Sequence, residues 1–184
     1  MGRPVAVGDA MQAEEFLQAT MGSMDLVYNI ARRVAPTPED AQDLVQETYL
    51  AAYRAWCARR RPRRVEPWLA TICLNLTRSA WRRRSHRPQE IPWEVASALG
   101  RDTDYGDPQN EAIEQLEREA VHRALAALPE GQRVAITLVD LSGFSTHDAA
   151  KIVNTPRGAV LSRLHRGRRA LALLLRAEVE EDAT

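Results

Sequence analysis

Apolar residues recur every three or four positions through successive stretches of this chain, and proline or glycine interrupts the pattern between them. That spacing puts the apolar side chains on one face of a helix, and several such segments can bury those faces only against one another. From Ala13 to Val34 the periodic positions are Phe16, Leu17, Met21, Met24, Val27, Ile30 and Ala31, closed by Pro36-Thr37-Pro38. One helix or two short ones fit this run. Thr37 or Pro38 opens the next, Glu39 to Trp56, with Ala41, Leu44, Val45, Thr48, Ala52, Ala55 and Trp56 along one face and Asp43, Gln46, Glu47 and Leu50 along the other. After an arginine-rich loop, Arg59 to Pro67, a third helix is expected over Trp68 to Arg84, with Leu69, Ile72, Cys73, Leu76 and Ala80 inward. Aromatic residues make up only 5% of the chain and alternating β-branched runs are scarce, so the expected fold class is all-α.

Pro88, Pro92, Gly100, Gly106 and Pro108 then break any sustained period, and residues 88–110 read as a flexible linker between two small helical domains. The second domain resumes with Glu111 to Ala127, stops at Pro129-Glu130-Gly131 and continues from Gln132 to Leu141. Ser145, with Asp148 three residues on, is an N-cap for a short helix ending at Val153. After the Asn154-Thr155 turn, Thr155 caps a last helix with Pro156 at its first position, running to about Arg176. The expected divisions are a tail over 1–12, a first domain over 13–87, the linker, a second domain over 111–178 and an acidic tail over 179–184.

Charge divides the chain in the same places. The 184 residues carry 25 basic and 25 acidic side chains, a formal net charge of zero. Every basic residue except Lys151 is arginine, whose planar fork suits phosphate and guanine edges. Five arginines lie between Arg59 and Arg64, five between Arg78 and Arg87, and five between Arg157 and Arg169. Nine acids against two arginines fill Glu90 to Glu119. Zero is therefore a sum of separated opposites, two arginine-rich modules held apart on an acidic linker.

Helix, two-residue turn and an arginine-studded capped helix form the pattern of a helix-turn-helix, whose second helix lies in the major groove. Val160, Leu164, Leu171, Leu174 and Leu175 form its inward face, which leaves Arg157, Leu161, Ser162, His165, Arg166 and Arg169 outward. A solvated basic helix would carry the same pattern. The segment ALAALPEGQRVAITLVDLSGFSTHDAAKIVNTPRGAVLSRLHRGRRAL, above all SRLHRGRR, resembles the fourth conserved region of extracytoplasmic-function sigma factors of the sigma-70 superfamily. DAQDLVQETYLAAYRAW is similar to the family's second region, and PWLATICLNLTRSAWRRR to the promoter-melting helix after it.

The resemblance implies a sigma factor that binds core RNA polymerase, recognises minus-35 and minus-10 promoter elements and helps melt the latter. It places Asp43, Gln46, Glu47 and Leu50 on the clamp helices of the largest polymerase subunit, with the flap as a further polymerase contact. An acidic stripe with one apolar member suits a basic helical partner, although such stripes are commonly just solvated. For the minus-10 element it implies Asn75 at an extruded base, Arg78, Arg82 and Arg83 on phosphates, and Arg63 and Arg64 on the displaced strand; Trp81 could stack on a base. For the minus-35 element it implies Arg157, Ser162, Arg163, His165, Arg166 and Arg169; Leu161 departs from the family, which often has a polar or basic residue there, and contact with a thymine methyl would take the place of hydrogen-bond readout at that step. A dedicated anti-sigma protein is a further expected partner.

Competing chemistry finds little support in the sequence. His86, His122, His147 and His165 are scattered, Cys57 and Cys73 lie at no metal-ligand spacing, and no glycine-rich phosphate loop occurs. No enzyme activity, metal or cofactor is expected. The first ten residues lack the apolar run of a signal peptide and nowhere do about 18 apolar residues follow one another, so the protein reads as cytoplasmic with no membrane partner. Two rivals remain at this stage: a helix-turn-helix regulator that is not a polymerase subunit, and a polymerase-binding inhibitor.

Overall fold

The computed structural model describes residues 7–84 and 119–182, and all regular structure among them is helical. Helix α1 (Val7–Thr20) passes through a single 3-10 turn, Met21–Ser23, into α2 (Met24–Val34). Helix α3 (Pro38–Cys57) and helix α4 (Val65–Arg84) complete the first half. The second half comprises α5 (residues 119–126), α6 (Glu130–Ile136), α7 (Thr146–Ile152) and α8 (Arg157–Asp182). The linker at 88–110 and the residues at both chain ends lie outside the described residues.

Local chemistry accounts for most boundaries. The Thr37 hydroxyl accepts the Asp40 N–H at 3.1 Å and donates to its carboxylate at 3.0 Å, while Pro38 stands in the first turn of α3. Pro there costs no helix hydrogen bond. At the far end of α3 the Arg60 N–H reaches back to the Ala55 carbonyl at 3.0 Å, which requires Arg59 to turn left-handed, φ 58°. Helix α4 starts at Val65, three residues earlier than expected: Pro67, read as loop, falls in the first turn, where its missing N–H is not needed. Helix α1 likewise begins at Val7 inside the expected tail, and α8 runs on to Asp182 rather than ending near Arg176. No proline or glycine follows Gly167 to stop it.

Two cores form. Phe16 of α1 meets Tyr53 and Trp56 of α3 edge-on, at ring-centroid distances of 5.3 and 5.8 Å, above Val27, Ala52 and Leu69. The second core is continuous through both halves: Ile30, Ala31, Val34, Ala41, Leu44, Ala70, Cys73 and Leu74 share one buried cluster with Leu125, Val134, Ala135, Leu138, Ala149 and Val153. The two modules are thus packed together rather than held apart. Helix α6 packs against α2, and α7 against α4, so that the shared cluster is closed by elements of both halves. Polar contacts reinforce the seam. His122 Nε2 donates to the Arg32 carbonyl at 2.8 Å, the Arg64 guanidinium pairs with Asp148 at 3.0 Å, and both terminal nitrogens of Arg78 lie 3.4 Å from the Val153 carbonyl.

Candidate polymerase and DNA surfaces

The buried and bare faces of α3 divide along its helical period. Ala41, Leu44, Thr48, Ala52 and Trp56 are buried, with the Thr48 hydroxyl donating to the Leu44 carbonyl at 2.6 Å. Asp43, Gln46, Glu47 and Leu50 all fall on the exposed face, and Leu50 keeps 55% of its surface in water. The four side chains expected to act together therefore share one surface. A leucine that exposed in the middle of a polar stripe gains nothing from the fold.

Helix α4 is laid out differently. Leu69, Cys73 and Thr77 face inward, Asn75 is exposed, and Arg78 is half-buried at the seam between the halves. Arg63 is exposed in the loop before α4; Arg64, beside it, is engaged by Asp148. Two of the side chains expected to touch promoter DNA, Arg64 and Arg78, are thus held by the second half in this arrangement. The side chains of Trp81, Arg82 and Arg83 lie outside the described residues.

In the second half, α6 widens after Ile136 into a π-type turn, Thr137–Leu141, and Gly143 at φ 71° turns the chain so that Phe144 returns to the core. The Ser145 hydroxyl accepts the Asp148 N–H at 3.0 Å, the expected cap of α7. Between α7 and α8, Asn154 takes the left-handed conformation, φ 49°, which asparagine tolerates better than most residues, and the Thr155 N–H bonds the Ala150 carbonyl at 3.0 Å. The Thr155 hydroxyl itself donates to the Val153 carbonyl at 3.2 Å, bracing the turn.

Val160 and Leu164 of α8 are buried, and Arg157, Leu161, Ser162, His165, Arg166 and Arg169 are all exposed on its outer side. Arg157 is steadied by a hydrogen bond from its Nε to the Thr146 hydroxyl at 3.1 Å. Arg163 departs from the expected set: it is half-buried and lies across Gly131, where an added Cβ would come within 3.3 Å of its Nε.

Three contributions were not anticipated from the sequence. Gly167 lets α8 cross α6 closely, since a Cβ there would stand 2.9 Å from Ile136 Cδ1 and 3.2 Å from Gln132 Cβ. A glycine in the interior of an arginine-rich helix was the available signal. Asp140 pairs with Arg168 through two hydrogen bonds, 2.9 and 2.5 Å, taking that arginine away from the outer face and raising its pKa further. Asp148, read only as a capping partner, also receives Arg64 from 84 residues away; that hydrogen bond first, and the one from Ser145 second, hold its carboxyl below the usual carboxylate range. No grouping of histidine, cysteine and acid side chains suited to a metal ion occurs among the described residues, and none of their helices is long and apolar enough to cross a membrane.

Comparison with known proteins gives the family. Residues 21–87 match the family model for Sigma-70 region 2, and residues 118–171 match that for Sigma-70, region 4. The chain is 32% identical over 150 residues to the ECF RNA polymerase sigma-E factor of Salmonella typhimurium strain 14028s, covering 79% of this chain and 78% of that protein. It is 37% identical over 142 residues to the ECF RNA polymerase sigma factor EcfG of Rhodopseudomonas palustris strain TIE-1, covering 77% and 75%. Among solved structures it is similar to the sigma factor RpoE of Bartonella quintana, co-crystallised with the anti-sigma factor NepR. The TM-score is 0.73 at 28% identity, over 89% of this chain and 98% of that one. The chain belongs to the extracytoplasmic-function RNA polymerase sigma factors of the sigma-70 family.

Proposed function

We propose that this sigma factor works through three surfaces, with residues 13–87 as region 2, residues 88–110 as linker and residues 111–178 as region 4. The stripe Asp43, Gln46, Glu47 and Leu50 binds the clamp helices of core RNA polymerase. Asn75, with Arg63, Arg64, Arg78, Arg82 and Arg83, opens and holds the minus-10 element. Arg157, Ser162, His165, Arg166 and Arg169 read the minus-35 element in duplex form. The observation that carries this reading is the outer face of α8, where all five of those side chains are exposed while Val160 and Leu164 anchor the helix beneath them. Arg163 takes a secondary place, reaching a phosphate of the DNA backbone only when it leaves Gly131.

The order of events follows from which surfaces are bare. The α3 stripe is exposed in the packed form, so core polymerase can engage it before the halves separate. Arg64 and Arg78 must first leave Asp148 and the Val153 carbonyl. Docking on polymerase supplies the free energy for that release and spaces the two DNA-reading elements, whose combined engagement then gains from effective concentration. The similar Bartonella sigma factor was crystallised with an anti-sigma factor, which supports an anti-sigma partner here that keeps the chain from polymerase. The protein acts in the cytoplasm, where its polymerase is, and performs no chemistry of its own: capture of unstacked bases is sufficient for melting.

Run-off transcription with core polymerase, followed by mapping of start sites, tests the reading. Discrete starts that depend on the chain are expected. Tight binding of the isolated protein to a duplex operator with no transcription alongside core would instead favour an independent helix-turn-helix regulator.

A further inference from the structure

Where the halves meet, Arg78 of α4 and Arg163 and Arg166 of α8 line one open cleft of about 450 Å³, floored by the Pro129–Gln132 turn at the start of α6. What sets these three guanidiniums apart is that they converge on one cleft without a carboxylate partner among the described residues. Arg61, Arg64 and Arg168 each meet a carboxylate, those of Glu15, Asp148 and Asp140. Among the described residues the cleft arginines meet none. Among the described residues Arg78 and Arg166 reach only backbone carbonyls, at 3.4 Å, and the half-buried Arg163 meets no hydrogen-bond partner. Glu130 is the single acid lining the cleft. Packing the halves thus gathers three positive charges around one negative one, a cost that a small anion would remove.

We propose that this cleft binds a compact phosphate oxyanion, a free di- or polyphosphate group, bridged between Arg78 of the first half and Arg163 and Arg166 of the second. Guanidinium forks match the paired oxygens of such a group, and all three line the same cleft. Because the site exists only while the halves are packed, the bound anion holds them together. It also occupies arginines that the proposed promoter contacts require; this consequence alone rests on the function proposed above.

Isothermal titration of the full chain with sodium pyrophosphate, at ionic strength matched with sodium chloride, tests the site. One saturable equivalent is expected. Affinity should fall at least about tenfold in either Arg163→Gln or Arg78→Gln, the scale of one lost charge-assisted hydrogen bond. It should rise in Glu130→Gln, which removes the opposing charge and is read as a gain, so a folding defect cannot mimic it. Arg176→Gln, exposed near the end of α8, should leave it unchanged. Equal weakening by Arg176→Gln would mean diffuse attraction and overturn the site. Loss with Arg163→Gln but not Arg78→Gln would refute the bridge. A promoterless duplex oligonucleotide in the same titration separates sources of phosphate: binding of duplex without binding of pyrophosphate would make the cleft merely part of the DNA surface. The titration uses no polymerase or promoter, so its failure and a failure of run-off transcription are independent results.

Discussion

Each half carries an arginine-bearing helix to which we assign a promoter contact, yet the packed molecule treats the two unequally. The outer face of α8 is bare, its arginines exposed and its apolar side sealed by α6 and α7. Helix α4 is partly spent on the seam: Ala70, Cys73 and Leu74 are buried in the shared core, and Arg78 leans on the end of α7. On the proposed reading the duplex-contacting face is therefore ready-made, while the single-strand surface becomes complete only when Arg64 and Arg78 are released. That difference suits what each must do, since duplex DNA is present from the outset and unpaired bases appear only after melting begins.

The largest expected effect lies on a surface that belongs to neither DNA element. Replacing Gln46 and Glu47 together by lysine should abolish co-purification with core polymerase, by setting like charges against a basic partner. Retained co-purification would move the docking surface off α3.

Next come the two readers themselves. Asn75→Ala should lower open-complex formation about tenfold while leaving core affinity unchanged, the value of a lost base hydrogen bond. An equal fall in core affinity would remove Asn75 from the melting role. Arg166→Ala should cost about 1–3 kcal/mol of upstream discrimination, visible as a relaxed preference in a randomised-site selection. A mutant of each kind that lost both activities would erase the division between the halves.

Gly167→Val is expected to destabilise by about 1–3 kcal/mol through overpacking against Ile136 and Gln132, measured by urea unfolding. It should weaken upstream-element binding without affecting the α3 surface.

The smallest effects report on the seam. Burial pushes the Cys73 thiol up to about 12, opposed in part by a hydrogen bond with Thr48, whereas Cys57 is exposed. One thiol should react under native conditions and two in denaturant. Faster labelling of Cys73 in Asp148→Asn would show that the Arg64 pair restrains opening. The sign of the pH effect follows from the depressed Asp148 pKa. Its contribution is complete above the unfolded carboxyl value, about 3.9, and is lost only as pH falls through the lower folded value. The difference in stability between the chain and Asp148→Asn should hence be flat from about pH 5 to 8. A slope in that range would assign the seam to another titrating group.

How much was legible in advance depended on whether a property is local. Helical spacing, proline and glycine breaks and the Thr37 and Ser145 caps depend on neighbours within one or two turns, and they determined the helices, the exposed stripe of α3 and the outer face of α8. Family resemblance added roles for those faces. Boundaries slipped where a local sign had two meanings: Pro67 serves a loop or a first helical turn equally well. What tertiary structure alone decided are the contacts between residues far apart in sequence: the common core of Ile30, Cys73 and Val134, the pairing of Arg64 with Asp148, the diversion of Arg163 over Gly131 and the close crossing at Gly167. No periodicity within a segment encodes which second segment will cover its apolar face. Charge segregation suggested modules kept apart, but burying the apolar sides of α2 and α4 under α6 and α7 is worth more than exposed charges lose by approaching.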